Sequence, residues 1–268
     1  MSAAPVAPTA MSSQFPNESP IIVDEQHDED ATSDVTSNTT IPMMRGKVTD
    51  WVDLQHHQFL LSVDGKLDLS PPNQDDYPAK RVLDIGTGTG IWAIEFGELK
   101  PEAEVIGIDL SPPLAEVPPN VTFEVDDIEE PWTFSLPFDY IHSRMMTSSI
   151  SDWRRLIQNA FDNLTPGGYL ELQEMDLMPH SDDGSLKPDT AVVRCFALLG
   201  KAATVLNRSF QDIPDLVNVM QEIGFVDISI KKVMWPENTW PKGQHYKILW
   251  QCAHEILCPG LRVGLWHL

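Results

Sequence analysis

Three glycines at alternate positions, Gly86, Gly88 and Gly90, follow an acid at Asp84 in the stretch R-V-L-D-I-G-T-G-T-G. Residues without a Cβ let the backbone take positive φ and let a ligand approach it closely. The helical spacing that begins at Ile91 sets unpaired N–H groups beside that ligand. A phosphate-cradling loop would end in Gly-Lys-Ser/Thr, and the dinucleotide fingerprint G-x-G-x-x-G would need glycine at Ile91; neither is present. Asp84 would repel a pyrophosphate and suits a ligand carrying an ammonium group. Asp109, 19 residues beyond Gly90, suits an acid that accepts both hydroxyls of a ribose, or one that caps the next helix. In Asp126-Asp127-Ile128 an acid can take an adenine amino group, and the Ile128 N–H can reach a ring nitrogen.

These residues stand at the ends of short apolar runs. Val82-Leu83-Asp84-Ile85 reads as a strand buried on both faces, and Val105-Ile106-Gly107-Ile108 as a second that closes on Asp109. Val121–Val125 is a third and Phe138–Arg144 a fourth, with His142 and Arg144 at the end where open α/β sheets bind ligands. Helical spacing runs from Ile91 to about Leu99 and from Trp153 to Leu164, where Thr165-Pro166-Gly167-Gly168 intervenes before a fifth strand, Tyr169–Glu174. Residues 189–206 and 213–223 read as helices, the second stopped by Gly224, and 225–230 as a sixth strand. Upstream, Asp50 is placed to cap a helix over 51–63 with Val52, Phe59, Leu60 and Val63 on one face. Asp64-Gly65-Lys66 then turns the chain, and a Pro-rich loop over 71–78 leads into the first strand. No element is expected after Gln251.

Formal net charge is −22; residues 1–44 hold seven acids and no Lys or Arg, and the remainder 33 acids against 18 bases. Such a field repels nucleic acid and anionic membrane surfaces. The Pro, Ser, Thr and acid-rich tail 1–44 is expected to be disordered. No secretory or mitochondrial leader is legible, so a cytoplasmic or nuclear place is expected, or both. Three cysteines fit a reducing compartment, and the grouping of Cys252, His254 and Cys258 lacks the second ligand pair of a zinc site, so no metal is expected.

The ordered set of glycine turn, acid after strand two, acid pair after strand three and Pro-Gly-Gly before strand five resembles the class I S-adenosylmethionine-dependent methyltransferases. More narrowly, Asp53-Leu54-Gln55-His56-His57, the segment Leu83–Ala93, Glu130-Pro131-Trp132, the segment Tyr140–Met146 and Ser181-Asp182-Asp183-Gly184 resemble the fungal LaeA-like methyltransferases, a family that includes a regulator of secondary metabolism and enzymes of metabolite clusters.

The resemblance implies a Rossmann-like three-layer αβα sandwich over 81–251, preceded by an acidic tail (1–44) and a helix and loop that cap the cofactor site (45–80), and followed by an atypical end (252–268). It implies that S-adenosylmethionine is bound with its methionyl part on Gly86, Thr87, Gly88 and Gly90, its amine organised by Asp84, its ribose by Asp109 beside Leu110, and its adenine by Asp126, Asp127 and Ile128. His142 is the first candidate for a general base, or else shapes the cofactor pocket; Arg144 would orient an anionic substrate group, and Glu174 is a second candidate base. The acceptor would be a small molecule or a protein, with regulatory protein partners as the rival to turnover. A nicotinamide-dependent reductase is disfavoured by Ile91 and Asp84. Class I members end in a sixth and seventh strand hairpin, and Pro259 and Gly260 fall where the seventh should lie.

Overall fold

The computed structural model describes residues 48–71, 79–111, 113 and 116–265, with side chains from 51 to 256. In chain order the elements are α1 (Val48–Ser62), β1 (Arg81–Ile85), α2 (Ile91–Leu99), β2 (Glu104–Asp109), β3 (Val121–Val125), β4 (Phe138–Arg144), α3 (Trp153–Asp162), β5 (Leu164–Gln173), α4 (Ala191–Val205), α5 (Ile213–Ile223) and α6 (Gln244–Leu265). They fall into two compact units, residues 70–229, and residues 48–69 with 230–265.

The first unit is a parallel sheet in the order β3-β2-β1-β4-β5. Side chains alternate along a strand, so Leu83, Ile85, Ile106, Ile108 and Ile141 share one face. There α3 and α5 bury Leu156, Ile157, Ala160, Leu216 and Met220 against them. Each of these Leu, Ile and Met side chains contributes roughly 1.5–3 kcal/mol relative to exposure. The other face carries Val82, Asp84, Tyr140 and His142, and α2 covers it: Trp92 and Phe96 lie 6.0 and 5.9 Å from the ring of Tyr140. Burial on both faces is why these strands read as continuous apolar runs, and why a charge at Asp84, 3% exposed, stands out. Asp152 caps α3 by accepting from the Arg155 N–H at 2.9 Å.

Four expectations are corrected. β5 starts at Leu164, five residues early: Phe138 pairs with Leu164 and Tyr140 with Tyr169, so Thr165–Gly168 bulge out of the ladder. Residues 225–230 form no strand, only a single-residue bridge at Val226; among the described residues the sheet has five strands with no seventh to extend that bridge into a ladder. Residues 244–265 are instead helix α6, in which Leu249, Cys252 and Ala253 are buried at helical spacing, and Pro259 and Gly260 fall inside it. Asp50 lies inside the first turn of α1, which begins two residues earlier.

In the second unit α1 packs against α6. Phe59 meets Trp235 edge-on with centroids 5.0 Å apart, and the Trp235 indole N–H donates to Ser62 Oγ at 2.7 Å. The deepest residues of α1 are Leu54, His56 and Gln58, while Val52, Phe59, Leu60 and Val63, the expected inner face, are half-buried. The turn at Asp64-Gly65 forms as expected, with φ of 56° and 78°. The tail 1–44 and the loop over 72–78 lie outside the described residues.

Candidate cofactor site

The glycine turn sits at the carboxyl end of β1 and is tied to β2: the N–H groups of Gly86 and Thr87 both donate to the Ile108 carbonyl, at 2.9 and 3.0 Å. Gly86, Gly88 and Gly90 have φ of 68°, 58° and 80°, the left-handed region. At Gly86 and Gly90 a Cβ would also collide with this chain's own side chains, standing 2.3 Å from Met146 Sδ and 2.4 Å from the Phe123 ring. At Gly90 the Phe123 ring adds a packing constraint to the backbone conformation, while at Gly86, where the neighbour is the flexible end of Met146, backbone conformation is the stronger requirement.

Asp84 points inward beneath the turn. Its Oδ2 accepts from Thr87 Oγ1 at 2.6 Å, and its Oδ1 lies 2.8 Å from His142 Nδ1. His142 is fully buried on the neighbouring strand, its ring stacked on Trp92 with centroids 3.7 Å apart and planes at 5°. Its Nε2 has no hydrogen-bond partner among the described residues. Arg144 is half-buried two residues on; burial lowers its pKa from the ordinary guanidinium value, and the charges of Asp84 and Glu95 oppose that shift. So Asp84 meets His142 directly and lies within electrostatic reach of Arg144 below the turn.

Asp109 closes β2 beside the same turn. Its Oδ2 accepts the Gly88 N–H at 3.0 Å, and its Oδ1 accepts both the N–H and the hydroxyl of Ser111 at 3.0 and 3.1 Å. Leu110 follows, 72% exposed. Asp126 and Asp127 are exposed after β3 and order a short turn: Asp126 Oδ1 accepts the Asp127 N–H at 2.8 Å and Asp127 Oδ1 the Glu129 N–H at 2.9 Å. The Asp126 N–H donates to the Asp109 carbonyl at 3.1 Å, which joins the two acid-bearing ends, and Ile128 is buried. A cavity of about 250 Å³ lined by Asp126, Asp127, Ile128, Trp132 and Phe134 opens below this turn. It includes Ile108 of the α3 and α5 side, so it faces away from His142.

Glu174, half-buried just past β5, uses both oxygens. Oε1 accepts the Met146 N–H at 3.0 Å, and Oε2 accepts the N–H and hydroxyl of Thr147 at 2.8 and 2.7 Å. Burial raises its pKa above the ordinary carboxylate value, and these hydrogen bonds only partly offset that. The structure thus brings Asp84, the glycines, Asp109, His142 and Arg144 together around one turn, and Glu174, just past β5, holds the segment after β4. Sequence reasoning missed Trp92, Phe123, Ser111 and Met146. Trp92 could have been found as the first inward residue of α2, one strand away from His142.

A parallel sheet of this order, with a glycine turn after its central strand and an acid closing the next, defines the Rossmann-like α/β class that binds nucleotides at the carboxyl edge. Within that class the chain belongs to the methyltransferase domain family, whose profile matches residues 54–230, and it groups with the class I S-adenosylmethionine-dependent members. It is 40% identical over 200 residues to methyltransferase pytC of Aspergillus terreus, a match covering 74% of this chain and 61% of that protein. It is 36% identical over 216 residues to secondary metabolism regulator LAE1 of Cochliobolus heterostrophus, covering 79% and 70%. The plantazolicin methyltransferase BpumL, solved with SAH, is 13% identical, with a TM-score of 0.47 over 66% of this chain and 67% of that one.

The residues present fit S-adenosylmethionine. The Asp109 Oδ2 accepts a single N–H among the described residues, which leaves a lone pair for a hydroxyl. The acids around the turn suit a cationic ligand, and Leu110 offers an exposed apolar surface beside Asp109.

Proposed function

We propose that this chain binds S-adenosylmethionine and transfers its methyl group to a small-molecule or protein acceptor in fungal secondary metabolism. The observation that carries the reading is the lock between turn and acid, Gly88 N–H on Asp109 at 3.0 Å. It holds Asp109, the proposed ribose acceptor, beside the backbone proposed to bed the methionyl part.

In this reading Gly86, Thr87, Gly88 and Gly90 line the methionyl end. Asp109 accepts from the ribose hydroxyls, with Leu110 beside it, and Asp126, Asp127 and the Ile128 N–H serve the adenine. Asp84, buried and doubly hydrogen-bonded, favours an ammonium group through its charge and through Thr87. The bound cofactor supplies an electrophilic methyl on a sulfonium. Transfer is an in-line displacement that positioning can accelerate strongly, so a protein base is optional. His142 and Arg144 act through Asp84 as positioning residues. Wild type incubated with tritiated S-adenosylmethionine and fungal extract should label an acceptor, and Asp109→Ala should not.

A second reading is a regulatory protein that binds cofactor and partners without turnover. Both candidate bases favour it: His142 is enclosed by Trp92 and Asp84, and Glu174 is committed to Met146 and Thr147. A binding-competent protein that labels nothing would select it. A cytoplasmic or nuclear place is proposed on the sequence reading; among the described residues no helix is long and apolar enough to cross a membrane.

A further inference from the structure

We infer that Glu174 is a positioning residue for the cofactor site: it holds the strained turn after β4 so that Met146 forms a fixed wall against Gly86. The inference rests on the proposed binding of S-adenosylmethionine at that turn.

The backbone ladder between β4 and β5 ends at Arg144 and Gln173, with a last bond from the Met145 N–H to the Gln173 carbonyl at 3.0 Å. Beyond it the chain turns sharply. Met145 and Ser148 have φ of 57° and 64°, a left-handed conformation that disfavours a side chain, and the Ser149 N–H donates back to the Met146 carbonyl at 2.8 Å. Two such residues in a four-residue turn persist only where surrounding contacts over-determine them. The Glu174 carboxylate supplies those contacts by accepting the next two backbone N–H groups and the Thr147 hydroxyl. It extends the ladder with a side chain where the backbone can no longer pair.

The turn has a direct bearing on the site. Met146 Sδ lies so close to Gly86 that an added Cβ would stand 2.3 Å away. A carboxylate one residue past β5 is thereby linked through two N–H groups to the thioether that bounds the glycine turn. Three acceptor contacts fix the segment carrying that wall, and loosening them would let Met146 move off the turn.

The test is titration calorimetry of the full chain with S-adenosylhomocysteine, for wild type, Glu174→Gln and Thr147→Val. Stoichiometry reports how much protein is folded and Kd how well the folded site binds, so the two roles separate. The carboxamide presents a donor where an acceptor is needed, and Glu174→Gln should bind about tenfold more weakly at unchanged stoichiometry. Thr147→Val removes one contact of three, and about two- to threefold weaker binding is expected. Unchanged Kd in Glu174→Gln would overturn the inference, as would reduced stoichiometry with unchanged Kd. If Glu174→Gln does not fold, Thr147→Val decides: wild-type affinity overturns the inference. No binding by folded wild type would remove the underlying cofactor reading and this inference with it.

Discussion

His142 Nδ1 stands 2.8 Å from Asp84 Oδ1, and the two residues are direct neighbours across the β1–β4 ladder. Adjacent parallel strands thus carry a carboxylate and an imidazole into the sheet interior on the same face, with Trp92 closing over the ring at 3.7 Å. Removing one partner of a buried pair leaves the other desolvated and unmatched. His142→Phe keeps a flat ring beneath Trp92 and strands the Asp84 oxygen. It should destabilise the protein by about 3 kcal/mol, read as a lower urea midpoint at unchanged m-value. A loss below about 0.5 kcal/mol, the scale of a neutral surface change, would contradict the pairing.

Gly90 has φ 80° and Phe123 packed where a Cβ would go. Gly90→Ala faces both obstacles and is expected to lose about 2 kcal/mol or more of stability. Phe123→Leu in the same chain should restore part of that loss by relieving the clash while leaving the backbone strain. A double-mutant cycle by chemical denaturation checks this; strictly additive losses would deny the contact.

Glu174 bears on pH dependence. Its folded-state pKa is raised above the ordinary 4.5 by burial, so the folded protein holds this proton more tightly than the unfolded chain. Stability from this group is gained as pH falls through the raised value toward 4.5 and is lost as pH rises through the same window. Urea unfolding of wild type relative to Glu174→Gln should therefore show the difference moving in favour of wild type as the pH is lowered. A flat difference would contradict the burial of the carboxyl.

Arg154 and Glu222 form an ion pair at 2.6 Å with both side chains more than half exposed. Solvent screens such pairs, so Arg154→Ala should change stability by no more than about 0.5 kcal/mol in thermal unfolding. It serves as a control for the buried substitutions above.

The sheet was legible because β1, β2 and β4 are buried on both faces, which forces unbroken apolar runs such as Val82-Leu83 and Val105-Ile106. Glycine and aspartate at their carboxyl ends then marked the candidate site. The sequence misled where an outcome depends on a partner elsewhere in the chain. Residues 225–230 have strand-like composition but make only an isolated bridge at Val226, while Leu249, Cys252 and Ala253 find helical packing with Pro259 and Gly260 downstream in the same helix. Contacts such as Met146 on Gly86 or Trp92 on His142 were not readable, because spacing along a chain does not say which side chains meet across strands.

The decisive measurement is calorimetric titration of the full chain with S-adenosylhomocysteine, beside Asp109→Ala. Wild type should bind one equivalent in the micromolar range. Asp109→Ala, folded by circular dichroism, should bind at least about tenfold more weakly, as loss of hydrogen bonds to a charged acceptor requires. Folded wild type that takes up no ligand, or an Asp109→Ala variant that binds as tightly as wild type, would contradict a cofactor site built on Gly88 and Asp109.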